Sequence, residues 1–183
     1  VKSTGRAYML FETSCFHEDL YAMRQIYRAG GFGKLLYAEG EYYHWMSEPI
    51  PSYKDWRVGL PPQWYPTHSN AYYVGVTGGR FTEATCLGMP SVIDQLKPEN
   101  NIYKNPFGTE IALMRTSDGG MARMAVSWDS PGRGGEQATG RLYAIARPGR
   151  DQHQAGGRRE QAIGIELRQP VAPRGMRDHG IGA

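Results

Sequence analysis

The segment from Glu110 to Trp128 restricts the possible folds more than any other part of the chain. Two runs of alternating apolar and polar residues, 110–116 and 121–128, are joined by Ser117-Asp118-Gly119-Gly120. An Asp-Gly pair supplies the positive φ angles that a tight turn needs, and the alternation is typical of strands. The segment therefore predicts a β-hairpin.

Further helices and strands are predicted on both sides of the loop between residues 47 and 63. Residues 16–29 have apolar side chains every three or four positions, which indicates an amphipathic helix ending at 30–33. A second helix is predicted over 65–78, with Thr67 as a cap and Gly78 as its stop. Short apolar or alternating runs predict strands at 7–11, 35–45 and 80–87, and aromatics on both sides of 35–45 predict two covered faces.

The composition is that of one soluble globular domain. The 183 residues are 40% hydrophobic and 11% aromatic, which is enough for one core. A net charge of +3 is too balanced to indicate a polyanionic partner. No apolar run approaches the length of a membrane span, and Cys15 and Cys86 have no metal-ligand or disulfide spacing. We therefore expect a cytoplasmic protein without a nucleic-acid or membrane partner.

The composition changes beyond Gly132. Tyr143 is the only aromatic residue of this part, lysine is absent, and Gly, Arg, Gln, Ala and Pro dominate. We expect the folded domain to span residues 1–135 and residues 136–183 to be a mostly disordered Gly/Arg-rich tail, with one strand at 141–146. The tail lacks interleaved aromatics on which bases could stack, so RNA binding is not expected. A frame-shifted end is the alternative explanation of its composition.

The stretch from Trp64 to Gly79 contains the most reactive combination of side chains. Tyr65 and His68 are three residues apart at a predicted helix start, beside backbone N–H groups without helical partners. A phenol and an imidazole in that position could exchange protons with a bound hydroxyl and hold an oxyanion. The alternative is a buried tyrosine and a capping histidine.

Six short motifs occur along the chain in a characteristic order. They are Glu12, Gly40-Glu41-Tyr42-Tyr43-His44, Trp56-Arg57, Tyr65-Pro66-Thr67-His68, Asn105-Pro106-Phe107 and Gly119-Gly120-Met121-Ala122-Arg123. In this order they resemble the C-terminal domain of the Gfo/Idh/MocA oxidoreductases, over about residues 5–135. Within that superfamily the chain is most similar to the branch that contains the NAD-dependent α-N-acetylgalactosaminidases.

The resemblance implies an α+β fold, with an open, mostly antiparallel β-sheet and helices packed on one face. The other face usually forms a homo-oligomer. It also implies an N-terminal Rossmann domain that binds NAD or NADP and is missing here, which agrees with Val1 opening almost directly into a predicted strand. The sequence has no Gly-x-Gly-x-x-Gly after a strand, so no cofactor-binding residue is identified. We expect this chain alone to be inactive.

The resemblance also implies the catalytic residues. His68 would be the base toward the oxidised hydroxyl and Tyr65 its partner, with Tyr42 as a second proton carrier and Glu12 as a positioning or acid/base group. Many family members carry Asp four residues before the histidine, where this chain has Trp64. Capping of a helix is the alternative role for Glu12, and sheet packing is the alternative for Tyr42.

The remaining candidates are aromatic and cationic side chains near this stretch. Trp56, Arg57 and Trp64 are expected to bind a sugar by stacking and hydrogen bonding, although Trp56 and Arg57 could instead only fix their loop. His17 and His44 have no further ligands at suitable spacing, so they are interpreted as surface or packing residues and no metal site is expected.

The sequence thus predicts the carbohydrate-binding half of an NAD(P)-dependent oxidoreductase acting on a sugar or polyol hydroxyl. An NAD-dependent glycoside hydrolase of the same superfamily is the rival enzyme. A stand-alone interaction module, in which the open sheet only forms a protein interface, is the third hypothesis.

Overall fold

A computed structural model describes residues 2–9, 12–46, 48, 56–130, 136–145 and 162–168 of the chain. Two helices and six strands are present in this part. The helices are α1 (Glu18–Arg28) and α2 (Thr67–Thr77); the strands are β1 (Lys34–His44), β2 (Phe81–Pro90), β3 (Phe107–Thr116), β4 (Met121–Ser127), β5 (Glu136–Ile145) and β6 (Ala162–Arg168). No helix among these residues is long and apolar enough to cross a bilayer.

The six strands form one open sheet in the order β2-β3-β4-β1-β5-β6. Only β1 and β4 pair in parallel, and every other neighbouring pair is antiparallel. Helix α2 packs across β1, β5 and β4, and α1 packs on α2. The predicted fold class, an open and mostly antiparallel sheet with helices on one face, is therefore confirmed.

The predicted hairpin is confirmed, with one difference in its turn. Strands β3 and β4 pair from Thr109 with Ser127 to Arg115 with Met121. In the turn only Gly119 has a positive φ, of 86°. The Asp-Gly pair therefore contributes one left-handed residue instead of two.

A close approach between two backbones holds α2 on the sheet. A Cβ atom at Gly40 of β1 would lie 2.0 Å from the carbonyl oxygen of Ser69 in α2. Real Cβ contacts are never that short, so only glycine permits this spacing. Because Tyr42 follows on the same face of β1 and His68 precedes Ser69, the contact brings these two side chains together.

The first predicted strand is wrong in its described part. Residues 7–9 have no strand partner, and Tyr8 and Met9 are exposed to 75% and 77%. Residues 10 and 11 lie outside the described residues. An apolar run becomes a strand only where a neighbouring strand pairs with it, and this segment has none among the described residues.

Both helices begin later than predicted. Residues 14–16 form a 3₁₀ turn with Phe16 exposed, and α1 starts at Glu18. Thr67 is the first residue of α2 and makes no capping hydrogen bond; Pro66 occupies the cap position. Gly78 ends α2 in the left-handed conformation as predicted, with φ of 72°.

The pattern of β1 differs from strict alternation. The register with β5 shifts between Leu35 and Tyr37, so Leu35 is buried while Leu36 is exposed. From Ala38 onward the helix side of the strand is buried as predicted. The prediction that both faces of this strand are covered is therefore right for the face toward the helices only. On the opposite face the side chains are half-buried among those of neighbouring strands.

Strand β5 lies beyond residue 135, where a mostly disordered tail was expected, and it is part of the sheet. It pairs antiparallel with β1, and Ala138, Leu142 and Ala144 are buried beneath the helices. The small residues are the reason, because a Cβ atom at Gly140 would lie 2.1 Å from the ring of Tyr72 in α2. The strand predicted at 141–146 is confirmed over 141–145 and begins earlier, at Glu136. Residues 146–161 and 169–183 lie outside the described residues.

Candidate functional site

The imidazole of His68 lies at the start of α2 with both ring nitrogens engaged. Its side chain is almost buried, and Nδ1 lies 2.9 Å from Oε1 of Glu12 and 2.6 Å from Oγ of Ser14. Nε2 lies 3.4 Å from the hydroxyl of Tyr65. The histidine therefore joins a carboxylate on one side to a phenol on the other.

Glu12 contacts both a backbone turn and the ring of His68. Its carboxylate accepts hydrogen bonds from the backbone N–H groups of Ser14 at 3.1 Å and Cys15 at 2.9 Å, so it caps the 3₁₀ turn. It also faces His68. Burial raises the pKa of Glu12, but hydrogen bonds from His68, Cys15 and Ser14 outweigh burial and lower the pKa to about 2. Glu12 is therefore a carboxylate at neutral pH.

The charge of Glu12 determines where the proton of the neutral imidazole lies. A carboxylate oxygen 2.9 Å from Nδ1 requires a hydrogen between the two atoms. A hydrogen on Nδ1 of His68 would satisfy this contact and would leave the lone pair of Nε2 facing Tyr65.

The two tyrosines pack around the imidazole. The ring of Tyr42 is stacked on His68 with centroids 4.5 Å apart, and the ring of Tyr65 is tilted at 5.2 Å. Tyr42 is fully buried, and its hydroxyl lies 3.3 Å from Nδ1 of His44. The structure thus brings all four predicted catalytic residues, Glu12 included, into one cluster.

Arg57 is part of this cluster, whereas Trp56 lies at its outer edge. The guanidinium carbon of Arg57 lies 4.6 Å from the centre of the Tyr65 ring, and one guanidinium N–H donates to the hydroxyl of Tyr42 at 3.4 Å. Arg57 is buried, and Trp56, whose ring centre is 6.0 Å from the same guanidinium carbon, is half-exposed. A cation is therefore placed beside both phenols.

Trp64 is not brought into the cluster. It is 70% exposed, and its ring packs edge-on against Tyr103 at 5.9 Å. The hydroxyl of Tyr103 donates to the carbonyl oxygen of Trp56 at 2.5 Å. The exposed Trp64 and the half-buried Tyr103 thus form an aromatic pair beside the loop that carries Arg57.

Three contributing residues were missed or undervalued by sequence reasoning. Trp128 is fully buried, lies against Tyr42 and Tyr65 at 6.0 and 5.9 Å, and donates from Nε1 to the carbonyl of Leu60 at 2.6 Å. Its position at the end of the predicted hairpin was the available signal. Ser14 had no local signal, because its partner His68 is in another element, whereas the contact of His44 with Tyr42 joins two residues on the same face of β1. No group of three or more His, Cys, Asp or Glu in the described part of the chain could hold a metal ion.

Gln63 holds the turn that carries Tyr65 onto the sheet. Its backbone N–H donates to the carboxylate of Glu110 at 2.7 Å. Its side-chain amide donates to the carbonyls of Glu110 and Met124, each at 3.2 Å. The turn Pro62–Trp64 is therefore fixed to β3 and β4, and the position of Tyr65 relative to His68 is determined by both helix and sheet.

The described residues do not form a dinucleotide site. Gly30 and Gly33 have positive φ angles but follow helix α1, whereas a dinucleotide turn follows a strand and opens a helix. The cluster instead offers a proton acceptor, two phenols and a buried cation, which suit the binding and deprotonation of a hydroxyl group.

Comparison with known proteins relates the chain to dehydrogenases by structure. No family model and no curated protein matches the sequence. A probable dehydrogenase from Thermotoga maritima matches with a TM-score of 0.57 at 12% identity, over 82% of this chain and 39% of that one. An oxidoreductase domain protein from Kribbella flavida matches with a TM-score of 0.55 at 10% identity, over 85% and 47%.

A third similar structure contains ligands. Scyllo-inositol dehydrogenase from Lactobacillus casei, with bound NAD(H) and scyllo-inositol, matches with a TM-score of 0.53 at 13% identity, over 82% of this chain and 39% of that one. The chain thus spans less than half the length of each of these proteins. At such identities the likeness shows the fold. The chain therefore shares its fold with a part of each of these proteins.

Proposed function

We propose that this chain is the substrate-binding half of an NAD(P)-dependent oxidoreductase that acts on a sugar or polyol hydroxyl. The observation that supports this function best is the line of contacts from Glu12 through His68 to Tyr65. It occurs in a fold shared with an enzyme whose structure holds scyllo-inositol. A polyol hydroxyl is a group that such a line of contacts can deprotonate.

The proposed role of the chain is to remove the hydroxyl proton. Oxidation of an alcohol carbon to a carbonyl requires that the hydroxyl lose its proton, and Nε2 of His68 accepts it, with Tyr65 as the relay. The Glu12 carboxylate then faces an imidazolium and stabilises its charge. The cation of Arg57 beside Tyr42 and Tyr65 stabilises negative charge on oxygen during this transfer.

The cofactor of the proposed reaction is NAD or NADP, bound mainly by a Rossmann domain outside this chain. The described residues of this chain fit binding of the substrate and not of the cofactor. Their glycine turn, which contains Gly30 and Gly33, follows helix α1, whereas a dinucleotide turn follows a strand. By this proposal the chain alone is inactive, and a cytoplasmic location remains a prediction.

An NAD-dependent glycoside hydrolase is the second candidate. Tyr42 supports it, because a second phenol stacked on His68 provides a second proton carrier. Elimination of a glycosidic leaving group next to a carbonyl needs such a second group. The presence of Trp64 in place of the usual Asp also supports the α-N-acetylgalactosaminidase branch over the Asp-assisted dehydrogenases.

The open face of the sheet is proposed to form a homo-oligomer. Leu87 and Met89 of β2, Leu113 of β3 and Met121 of β4 are exposed on this face. Exposed apolar side chains on adjacent strands are typical of protein interfaces. The same surface is the basis of the third hypothesis, a stand-alone interaction module.

Activity of the complete gene product tests the proposed function. The coding region with its upstream part would be expressed, and NAD and NADP reduction would be measured with inositols and sugars. Release of p-nitrophenol from nitrophenyl glycosides would be measured in parallel. We expect polyol-dependent reduction of the cofactor; release of p-nitrophenol without net reduction would favour the glycosidase. A complete gene product without a Rossmann domain would support the interaction module.

Two variants test whether this site carries the activity. His68→Asn should lower kcat by about 10²- to 10⁴-fold, because the proton acceptor is lost. His17→Asn, at the start of α1, is the matched control and should retain activity. Equal activity of both variants would contradict the assignment of His68 as the base.

A further inference from the structure

Ser14 is part of the contact between Glu12 and His68. The serine is fully buried, and its hydroxyl oxygen lies 2.6 Å from Nδ1 of His68. Its backbone N–H donates to Oε1 of Glu12 at 3.1 Å, the same oxygen that faces Nδ1 at 2.9 Å. Three residues from two elements therefore close a small ring of hydrogen bonds.

Only one arrangement of hydrogens satisfies this ring. If the Ser14 hydroxyl donated to Nδ1, the lone pair of Nδ1 would face the Glu12 carboxylate at 2.9 Å, and two acceptors at that distance repel each other. If Nδ1 carries the hydrogen, it can donate to both Oε1 of Glu12 and Oγ of Ser14. The short distance to Ser14 then reflects a hydrogen bond that the serine accepts.

The geometry excludes a role of Ser14 as a nucleophile. A histidine that activates a serine uses one ring nitrogen for the serine and the other for the carboxylate. Here Ser14 and Glu12 both contact Nδ1 of His68, and the serine has no exposed surface. Its hydroxyl thus cannot reach a substrate.

We propose that Ser14 is a positioning residue, which acts with Glu12 to hold the proton of His68 on Nδ1. Two acceptors on one side of the ring oppose both a ring flip and a change of tautomer, and the buried serine keeps water away from the N–H. Nε2 therefore remains an acceptor toward Tyr65. The catalytic consequence rests on the proposed function, whereas the proton position is a property of this chain.

Nitrogen-15 NMR of the 183-residue chain, labelled at histidine, tests the proton position without any substrate. The chain has five histidines, and loss of a signal in His68→Asn identifies the ring of interest. We expect the Nδ1–H tautomer in the wild-type chain at neutral pH. A wild-type ring in the Nε2–H tautomer would overturn the proposal.

Substitution of the serine then tests its part. In Ser14→Ala we expect a mixture of both tautomers and exchange of the ring N–H with water that is at least about 10-fold faster, since one acceptor and its shielding are lost. Ser14→Thr keeps a hydroxyl and should keep the wild-type spectrum. Ser69→Ala removes a neighbouring buried serine whose hydroxyl bonds Pro66 instead of the ring, and it should also keep the wild-type spectrum. An unchanged Ser14→Ala spectrum, or the same change in Ser69→Ala, would refute the role of Ser14.

Kinetics of the complete gene product then separate this proposal from the proposed function. Ser14→Ala should lower kcat by about 10-fold with little change in KM, and Ser14→Thr should restore it. If the NMR result holds but no polyol is oxidised, the proposed function fails and the positioning role stands. If polyols are oxidised but Ser14→Ala changes neither tautomer nor kcat, the positioning role fails alone.

Discussion

The Glu12 carboxylate lies 2.9 Å from Nδ1 of His68, although the two residues belong to different elements. The resembled family usually places a carboxylate four residues before the histidine, and Trp64 occupies that position here. Trp64 points to Tyr103 and is mostly exposed. The carboxylate beside the histidine therefore comes from the segment ahead of α1 and not from the turn ahead of α2.

The stability of the fold should depend on the charge of Glu12. The pKa of Glu12 is about 2 in the fold, against 4.5 for an ordinary glutamate. Its contribution to the free energy of unfolding is therefore complete above pH 4.5 and is lost as the pH falls toward 2. We expect a contribution of about 1–2 kcal/mol, allowing for its partial exposure to solvent. Urea unfolding of wild type and Glu12→Gln at about pH 7 and about pH 3 measures it.

The difference between these two proteins should shrink at the lower pH. Glu99→Gln, at an exposed position, is the control and should follow the wild type at both values. A difference between wild type and Glu12→Gln that is the same at both pH values would contradict the ionised Glu12 of this structure.

Gly40→Ala should destabilise the domain and separate α2 from β1. The new Cβ would meet the backbone oxygen of Ser69, which cannot move aside without the helix. Overpacking of this kind costs about 3 kcal/mol. Urea unfolding measures the change. Gly30→Asn is the control, because Gly30 has a positive φ that asparagine tolerates and no atom within 4 Å of the added Cβ. Equal stability of both variants would contradict the close packing of β1 and α2.

Trp128→Phe should loosen the loop that carries Arg57. The substitution keeps an aromatic ring but removes the N–H that donates to the carbonyl of Leu60 at 2.6 Å. A buried carbonyl without its donor costs about 1–3 kcal/mol. We expect lower stability by urea unfolding and faster amide hydrogen exchange near residues 57–60 than in the wild type. Trp45→Phe, at an exposed position, should change neither quantity. Wild-type exchange near 57–60 in Trp128→Phe would show that this bond does not hold the loop.

The open face of the sheet should determine the oligomeric state. We expect the wild-type chain to sediment as a dimer and Leu87→Glu/Leu113→Glu to sediment as a monomer, because two carboxylates would replace apolar contacts. Val92→Glu adds one carboxylate at another exposed apolar residue, beyond the end of β2, and should remain a dimer. A monomeric wild type, or a double variant that still dimerises, would exclude this face as the interface.

Local sequence patterns correctly predicted the helices and strands whose structure depends on residues close to them in the sequence. The β3–β4 hairpin follows from alternation and a glycine turn, and α2 follows from the residues at its two ends, above all the left-handed Gly78. Tyr65 and His68 were identifiable as a pair because only three residues separate them along the chain. These features need no information about the rest of the chain.

Features that depend on distant partners were mispredicted. Residues 7–9 have enough apolar character for a strand but no strand partner among the described residues, whereas β5 begins with small and polar residues and nevertheless pairs with β1 inside the sheet. The absence of a side chain at Gly140 leaves space for the ring of Tyr72, so that α2 can pack on β5. The hydrophobicity of one segment does not indicate whether its shape is complementary to that of a second segment.

The sequence by itself determined that a phenol and an imidazole lie near the start of α2, since only three residues separate Tyr65 from His68 along the chain. Only the tertiary structure decided which groups surround them. Glu12 and Ser14 reach Nδ1 from the 3₁₀ turn ahead of α1, Tyr42 stacks from β1, and Arg57 approaches from the following loop. These groups are distant from His68 along the chain, and they contact it only because α2 packs on the sheet. The protonation and orientation of His68 therefore depend on that packing.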